Sequence, residues 1–175
     1  MTTPAERPPS HEEHRATSPA SVRCAVITVS DTRTDATDTG GRAIVQLLEA
    51  EHHTVVDKTI VRDEPALLRA LLERHLANET VQVVLTTGGT GITSRDGTFE
   101  VVSSLLEKTL TGFGELFRML SYQEIGAAAM MSRACAGMAR RRVIVCLPGS
   151  EHAVRLAMTK LVLPELGHLV REVSR

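Results

Sequence analysis

Residues 22–30 read VRCAVITVS, β-branched and almost wholly apolar from Cys24 onward. A strand with one wet face alternates apolar and polar residues. A continuous apolar run belongs to a strand covered on both faces, and such strands build parallel sheets. Parallel sheets need crossovers, and the chain has them. Ala43, Ile44, Leu47 and Leu48 recur at helical spacing, and residues 54–61 form a second strand, less apolar and so nearer an edge. Pro65 suits a first helical position, and Leu67, Leu68, Leu71, Leu72 and Leu76 line one face of the helix it opens. Residues 82–86 are a third strand. This β-α-β-α-β order, with right-handed crossovers, predicts a single doubly wound α/β sheet, mostly parallel, with helices on both faces.

The second half reads less regularly. Residues 99–107 have a helical pattern and 110–115 (LTGFGE) read as a turn. Residues 116–120 and 123–137 are expected to be helical. Residues 142–147 are a further long strand, ending in Pro148-Gly149-Ser150, with Ser150 as N-cap of a last helix over 151–173. Pro164 predicts a kink or break in that helix. Within 127–138, Ala and Met alternate densely, which fits core packing or a subunit interface.

Composition bounds the function. A chain of 175 residues, 42% hydrophobic and 23% charged, suits one globular domain, placed at residues 22–175. Residues 1–21, rich in Pro, Ser, Glu and His, are expected to be a disordered tail. The formal net charge of -1 leaves no electrostatic footprint for nucleic acid. The three cysteines lie in apolar runs without CxxC spacing, as buried hydrophobes do. His11 and His14 have a metal-like spacing but sit in the polar tail. No run approaches a membrane span and no signal-peptide core is visible, so the expected location is cytoplasmic, away from membranes.

The stretch with chemical character is 86–98, TTGGTGITSRDGT. Gly88, Gly89 and Gly91 permit backbone angles that other residues avoid, and they let main chain approach a ligand. A strand–glycine turn–helix presents several N–H groups together, which suits a phosphate. Asp96 adds a carboxylate at the rim, where a phosphate needs a cation. Taken alone, the same residues are more simply read as steric turn-making and N-capping. The P-loop pattern is absent, and Ser94 stands where a dinucleotide fingerprint requires Gly or Ala. In sheets of this order the first and third strands flank the switch point where ligands bind. Ser30-Asp31 and the 88–96 loop should therefore share one crevice, with Asp63 on the same rim. Asp38 or Thr39 is expected to cap the first helix, and Asp31, Asp35 and Asp38 lack the spacing of a calcium loop.

These segments together resemble the MogA/MoaB family of molybdenum cofactor biosynthesis. The resemblance rests on TTGGTGITSRD (86–96), VSD (29–31), RDE (62–64), GFGELFRMLSYQEIG (112–126), SRACAG (132–137) and LPGS (147–150). It covers nearly the whole chain after Arg23 and is closer to the MoaB-type branch. It implies a molybdopterin-binding α/β fold, usually trimeric or a dimer of trimers, that works with other proteins of the pathway. It implies an activity as well: adenylylation of molybdopterin by ATP with magnesium, giving adenylyl-molybdopterin and pyrophosphate. A non-catalytic molybdopterin carrier is the alternative, and a third possibility is an assembly role. On the family pattern, Asp63 and Asp96 match two required aspartates, assigned to magnesium and substrate orientation. Thr87, Gly88, Gly89, Thr90, Gly91 and Ser94 are expected to hold the pterin phosphate. Ser30, Asp31, Pro148, Gly149 and Ser150 are placed on the nucleotide side or rim. Glu115, Ser121, Ser132 and Arg133 are motif residues with an expected structural role.

Overall fold

The computed structural model describes residues 17–175. The expected tail, residues 1–21, falls mostly outside that range, as do His11 and His14. Of its described end, Pro19 lies against Gly167, whose added Cβ would stand 2.7 Å from the Pro19 carbonyl oxygen.

Six strands form one sheet: β1 (Arg23–Val29), β2 (Thr54–Val61), β3 (Val83–Thr87), β4 (Lys108–Thr109), β5 (Cys135–Ala139) and β6 (Arg142–Leu147). Their spatial order is β2-β1-β3-β6-β5-β4. The β2-β1-β3-β6 half is parallel, and β5 and β4 pair antiparallel at the far edge. β1 pairs with both β2 and β3, so the chain reverses its direction of travel at β1/β3, as the strand pattern predicts. β2 is an edge strand, in keeping with its mixed composition.

Alternate side chains of the central strands feed two cores, one on each face of the sheet. Cys24, Val26, Val83, Leu85, Val143 and Val145 pack with α1 (Thr39–Ala50), Phe117 of α4 (Thr111–Ile125) and the C-terminal helices α5 (Glu151–Ala157) and α6 (Leu163–Ser174). Ala25, Ile27, Val84, Ile144 and Cys146 pack on the other face, with α2 (Pro65–Ala77) and α3 (Thr98–Leu105). Burial on both faces is why β1 and β3 read as unbroken apolar runs. The cysteines are all free and buried. Burial pushes the Cys24 thiol up to about 12, so it behaves as a small hydrophobe.

Two expectations need correcting. Residues 110–115 are no turn; α4 begins at Thr111 and runs unbroken through Gly112 and Gly114 to Ile125. Its Phe113 and Phe117 stack one helical turn apart, with centroids 6.3 Å apart. Residues 123–137 are no single helix. α4 ends at Gly126 (φ 61), a short 3₁₀ turn covers Gly126–Met131, and the chain then enters β5. Arg140 and Arg141 make the tight β5–β6 turn with φ 46 and 60. The last helix does break as Pro164 requires: a π turn at Met158–Val162 separates α5 from α6 and absorbs the missing N–H.

Candidate functional site

The carboxyl ends of β1, β2, β3 and β6 lie side by side, and the loops leaving them form the candidate site. The loop after β3 is held by backbone geometry. Gly88 has φ 93 and an added Cβ would stand 2.3 Å from the Val29 carbonyl oxygen; Gly89 has φ 62 and its Cβ would stand 2.2 Å from Thr98 Oγ1. Both positions therefore demand glycine on two independent counts. The loop closes where the Thr98 N–H donates to the Gly89 carbonyl at 2.9 Å.

Not every amide of this loop is open. The Gly88 N–H donates to the Leu147 carbonyl at 3.2 Å, extending the β3–β6 pairing. The Asp96 carboxylate lies against Gly91, 2.6 Å from its Cβ position, and the Gly91 amide helps hold that carboxyl down. Among the described residues, Gly89 and Thr90 N–H have no protein acceptor. Of the glycine-loop amides expected to hold a phosphate, these two are open.

The aspartates stand on either side of this loop. Both carboxylate oxygens of Asp63 lie 3.1 Å from the Gly89 Cβ position, and Asp96 lies against Gly91. Asp63 reaches the loop because β2 ends on the same rim and its own N–H donates to Asp31 Oδ1 at 3.2 Å. Burial pushes the Asp63 carboxyl above the ordinary range, and the charges of Asp96 and Asp31 push it further. Asp96 goes the other way. Its Oδ2 accepts from Thr93 Oγ1 at 2.5 Å and Thr93 N–H at 2.9 Å, and the hydroxyl bond above all holds its carboxyl below the usual range.

Turn-making explains part of Asp96, which closes its own Thr93–Asp96 turn. Glu64, not Asp63, is at the N-cap of α2, as the position of Pro65 predicts. The Gly97 amide, at the head of α3, partly offsets the upward push on the Asp63 carboxyl.

The remaining expected residues divide. Asp31 pairs with Arg95 at 2.6 Å, which ties the tip of the glycine loop to the end of β1. The Ser30 hydroxyl accepts from the N–H groups of Thr32 and Arg33, and so shapes its own turn. The Thr87 hydroxyl donates to the Pro148 carbonyl at 2.8 Å, and the Gly149 Cβ position lies 3.2 Å from Gly88 Cα, so the 148–150 turn packs on the glycine loop. Ser150 caps α5 through Ala153 N–H, and Asp38 caps α1 through Gly41 N–H, both as expected. Ser94 is exposed on the loop. A crevice of about 200 Å³ opens between these turns, lined by Ser30, Arg33, Asp38, Thr87, Gly88 and Gly149. Asp63 and Asp96, expected on the same crevice, are not among its lining residues. Larger hollows, about 500 and 580 Å³, lie by β4, β5 and α6 and include none of the loop amides or aspartates. Chemistry rather than size selects the loop.

A strand-end crevice, a glycine turn and two flanking aspartates are a set that comparison with known proteins can test. A family model described as a probable molybdopterin binding domain matches residues 25–168. The chain belongs to that family. Over 164 residues, covering 93% of this chain and 97% of the relative, it is 51% identical to molybdenum cofactor biosynthesis protein B of Bacillus anthracis. It is 48% identical to the protein of the same name in Bacillus subtilis, over 95% of this chain and 98% of that one. Among solved structures, it is similar to the tungsten cofactor synthesizing protein MoaB of Pyrococcus furiosus, with 36% identity and a TM-score of 0.78 over 90% of this chain and 99% of the other. The resemblance to the MoaB-type branch is thereby borne out, as is the place of this molybdopterin-binding domain in molybdenum cofactor biosynthesis. No helix among the described residues is long and apolar enough to cross a membrane.

Sequence reasoning undervalued one residue of the site. Arg133, 42 positions beyond Gly91, donates through Nε to the Thr90 carbonyl at 3.0 Å and through Nη2 to the carbonyls of Gly91 and Asp96. The SRACAG motif marked it without indicating its target. The helical reading of 123–137 pointed it elsewhere.

Proposed function

We propose that this molybdopterin-binding domain transfers the adenylyl group of ATP to molybdopterin. The observation that carries the proposal is the pairing of open Gly89 and Thr90 amides with flanking Asp63 and Asp96. In this reading the terminal phosphate of molybdopterin is held by those two amides. One of its oxygens attacks the α-phosphorus of ATP; the bond from that phosphorus to the β-phosphate oxygen breaks, and pyrophosphate leaves. Such a transfer needs alignment and charge neutralisation more than covalent help from the protein.

The residues fit magnesium. Asp63 and Asp96 offer hard oxygen ligands, and mutual repulsion with Asp31 leaves Asp63 short of positive charge. Among the described residues no three His, Cys, Asp or Glu side chains gather into a ready-made cage. Two carboxylates with nucleotide phosphates and water are the arrangement magnesium commonly takes. When bound, the ion neutralises phosphate charge; Asp63 and Asp96 would hold it. Ser30, Arg33 and the 148–150 turn are assigned to the nucleotide side.

The test is direct. Purified protein with molybdopterin, ATP and magnesium should yield AMP attached to the pterin, together with pyrophosphate. A folded protein that binds molybdopterin and forms no such product is a carrier, the second reading, which the turn-closing role of Asp96 favours.

A further inference from the structure

We infer that Arg133 is the positioning residue that shapes the Thr90–Asp96 loop and, through it, aims the Asp96 carboxylate. Residues 91–95 are all exposed, so packing does little to hold this loop. Its own hydrogen bonds run mainly through Asp96 and Thr93. Arg133 supplies the external anchor. A guanidinium offers five donors in a rigid fork. Here one edge serves the carbonyls of Thr90, Gly91 and Asp96, and Nη1 pairs with Glu100 in α3. Its Cζ lies 5.3 Å from the centroid of the Phe99 ring, which fixes the plane of the fork.

The consequence follows from peptide planarity. The carbonyl of one residue and the N–H of the next lie in one plane and point opposite ways. Arg133, by holding the Thr90 carbonyl, fixes the Thr90–Gly91 peptide plane beside which the Asp96 carboxylate lies, and it also holds the Asp96 carbonyl itself. The Gly91 carbonyl orients the Ile92 N–H in the same way. The Thr98 N–H, on the Gly89 carbonyl, orients the open Thr90 N–H. So the loop has two anchors: α3 sets the phosphate-facing amide, and Arg133 sets the aspartate. Lysine cannot substitute fully, because an ammonium has no planar fork.

The residue sits between the 3₁₀ turn Gly126–Met131 and β5, so the anchor is built from the antiparallel half of the sheet. The site that the parallel half forms is completed from outside it.

The experiment has one arm independent of the proposed reaction and one that rests on it. Amide hydrogen exchange of ligand-free Arg133→Gln should speed at Thr93 and Asp96, the loop amides that are hydrogen-bonded, by about tenfold or more, with β1 unchanged. Arg133→Lys, which keeps the charge and guards against misfolding, should give a smaller rise confined to the same amides. Wild-type exchange at Thr93 and Asp96 in Arg133→Lys, or in a folded Arg133→Gln, overturns the inference. In the kinetic arm, which rests on adenylyl transfer, Arg133→Gln should lower kcat about thirtyfold or more with KM for molybdopterin within about threefold, and Arg133→Lys should restore part of kcat. A raised KM with unchanged kcat also overturns it. If the wild-type protein makes no adenylyl product, adenylyl transfer fails while the exchange arm still decides the role of Arg133.

Discussion

Asp63 and Asp96 flank one loop with opposite electrostatics, and that difference is measurable without any substrate. The fold raises the Asp63 carboxyl, so the folded chain binds that proton more tightly than the unfolded one. Its contribution to stability is present at low pH and is lost as pH rises through the raised folded value. At pH 7 the ionised group is therefore a liability, and Asp63→Asn should raise Tm by about 1–3 °C. Asp96 has the reverse sign. Its depressed carboxyl contributes stability above the unfolded value of about 3.9 and loses it as pH falls through the folded value. Asp96→Asn should lower Tm at pH 7 by a few degrees, roughly, with the difference fading toward pH 3. Both variants should lose adenylyl transfer by about a hundredfold or more. Thermal melts at pH 7 and pH 3 check the signs. A second prediction concerns Gly88, whose φ of 93 and 2.3 Å approach to Val29 rule out a side chain. Gly88→Ala should destabilise the protein by about 2–4 kcal/mol in denaturant melts. The glycine pattern made this position legible in the sequence, since only a left-handed turn calls for such a run. Its amide was misjudged, because pairing of Gly88 with Leu147 depends on which strand lies beside β3.

At the level of elements, strands buried on both faces and helices with a leucine stripe were readable because their pattern is periodic. β5 was not. GAAAMMSRACAGMA is rich in good helix formers, and its five strand residues are nearly all buried, so no alternation marks it. What makes it a strand is long-range: Cys135 pairs with Cys146 and Gly137 lies opposite Thr109. Tertiary pairing overrides propensity here. Gly137 shows how tightly. An added Cβ would stand 2.3 Å from the Lys108 carbonyl oxygen and 2.8 Å from a Leu106 methyl. Gly137→Ala would gain helix propensity, yet we expect it to destabilise the protein by roughly 2–4 kcal/mol through this clash. Chemical denaturation distinguishes the two: a rise in midpoint would mean that the helical reading of this stretch had some native weight. α4 was misread for the complementary reason. Gly112 and Gly114 look like turn residues, but Gly114 lies 3.1 Å from the Ala134 carbonyl oxygen, measured from its Cβ position, and is small because β5 passes close by.

For the whole molecule, the apolar residues left outside the cores are unevenly placed. Leu116, Met119, Tyr122 and Ile125 of α4 are each about half or more exposed, at strict three-residue spacing, and Met130 and Met131 continue the stripe at 81% and 55% exposure. A lone exposed Leu means little, but six large apolar side chains exposed between positions 116 and 131, with Met119, Tyr122 and Met130 lining one hollow, are a surface that water disfavours. The sequence pointed to residues 127–138 as core or interface; the structure divides them, with Met130 and Met131 outside and Ala129, Ala134 and Ala136 inside. We propose that copies of this chain associate through the α4 stripe. Tyr and Met are among the residues enriched at such contacts, while the rim residues Arg118 and Glu115 supply charge. Self-association should then show in sedimentation velocity as a species larger than 19.0 kDa. Met119→Glu places a charge at the centre of the stripe, where burial without a partner costs several kcal/mol, and should shift the protein toward monomer by at least tenfold in dissociation constant. Met119 touches neither core, so the fold should melt as the wild type does once concentration is accounted for. A wild-type protein that sediments as a monomer at tens of micromolar would return the stripe to another partner. A Met119→Glu protein that stays assembled would move the interface to the β4 edge of the sheet, where the 500 and 580 Å³ hollows lie.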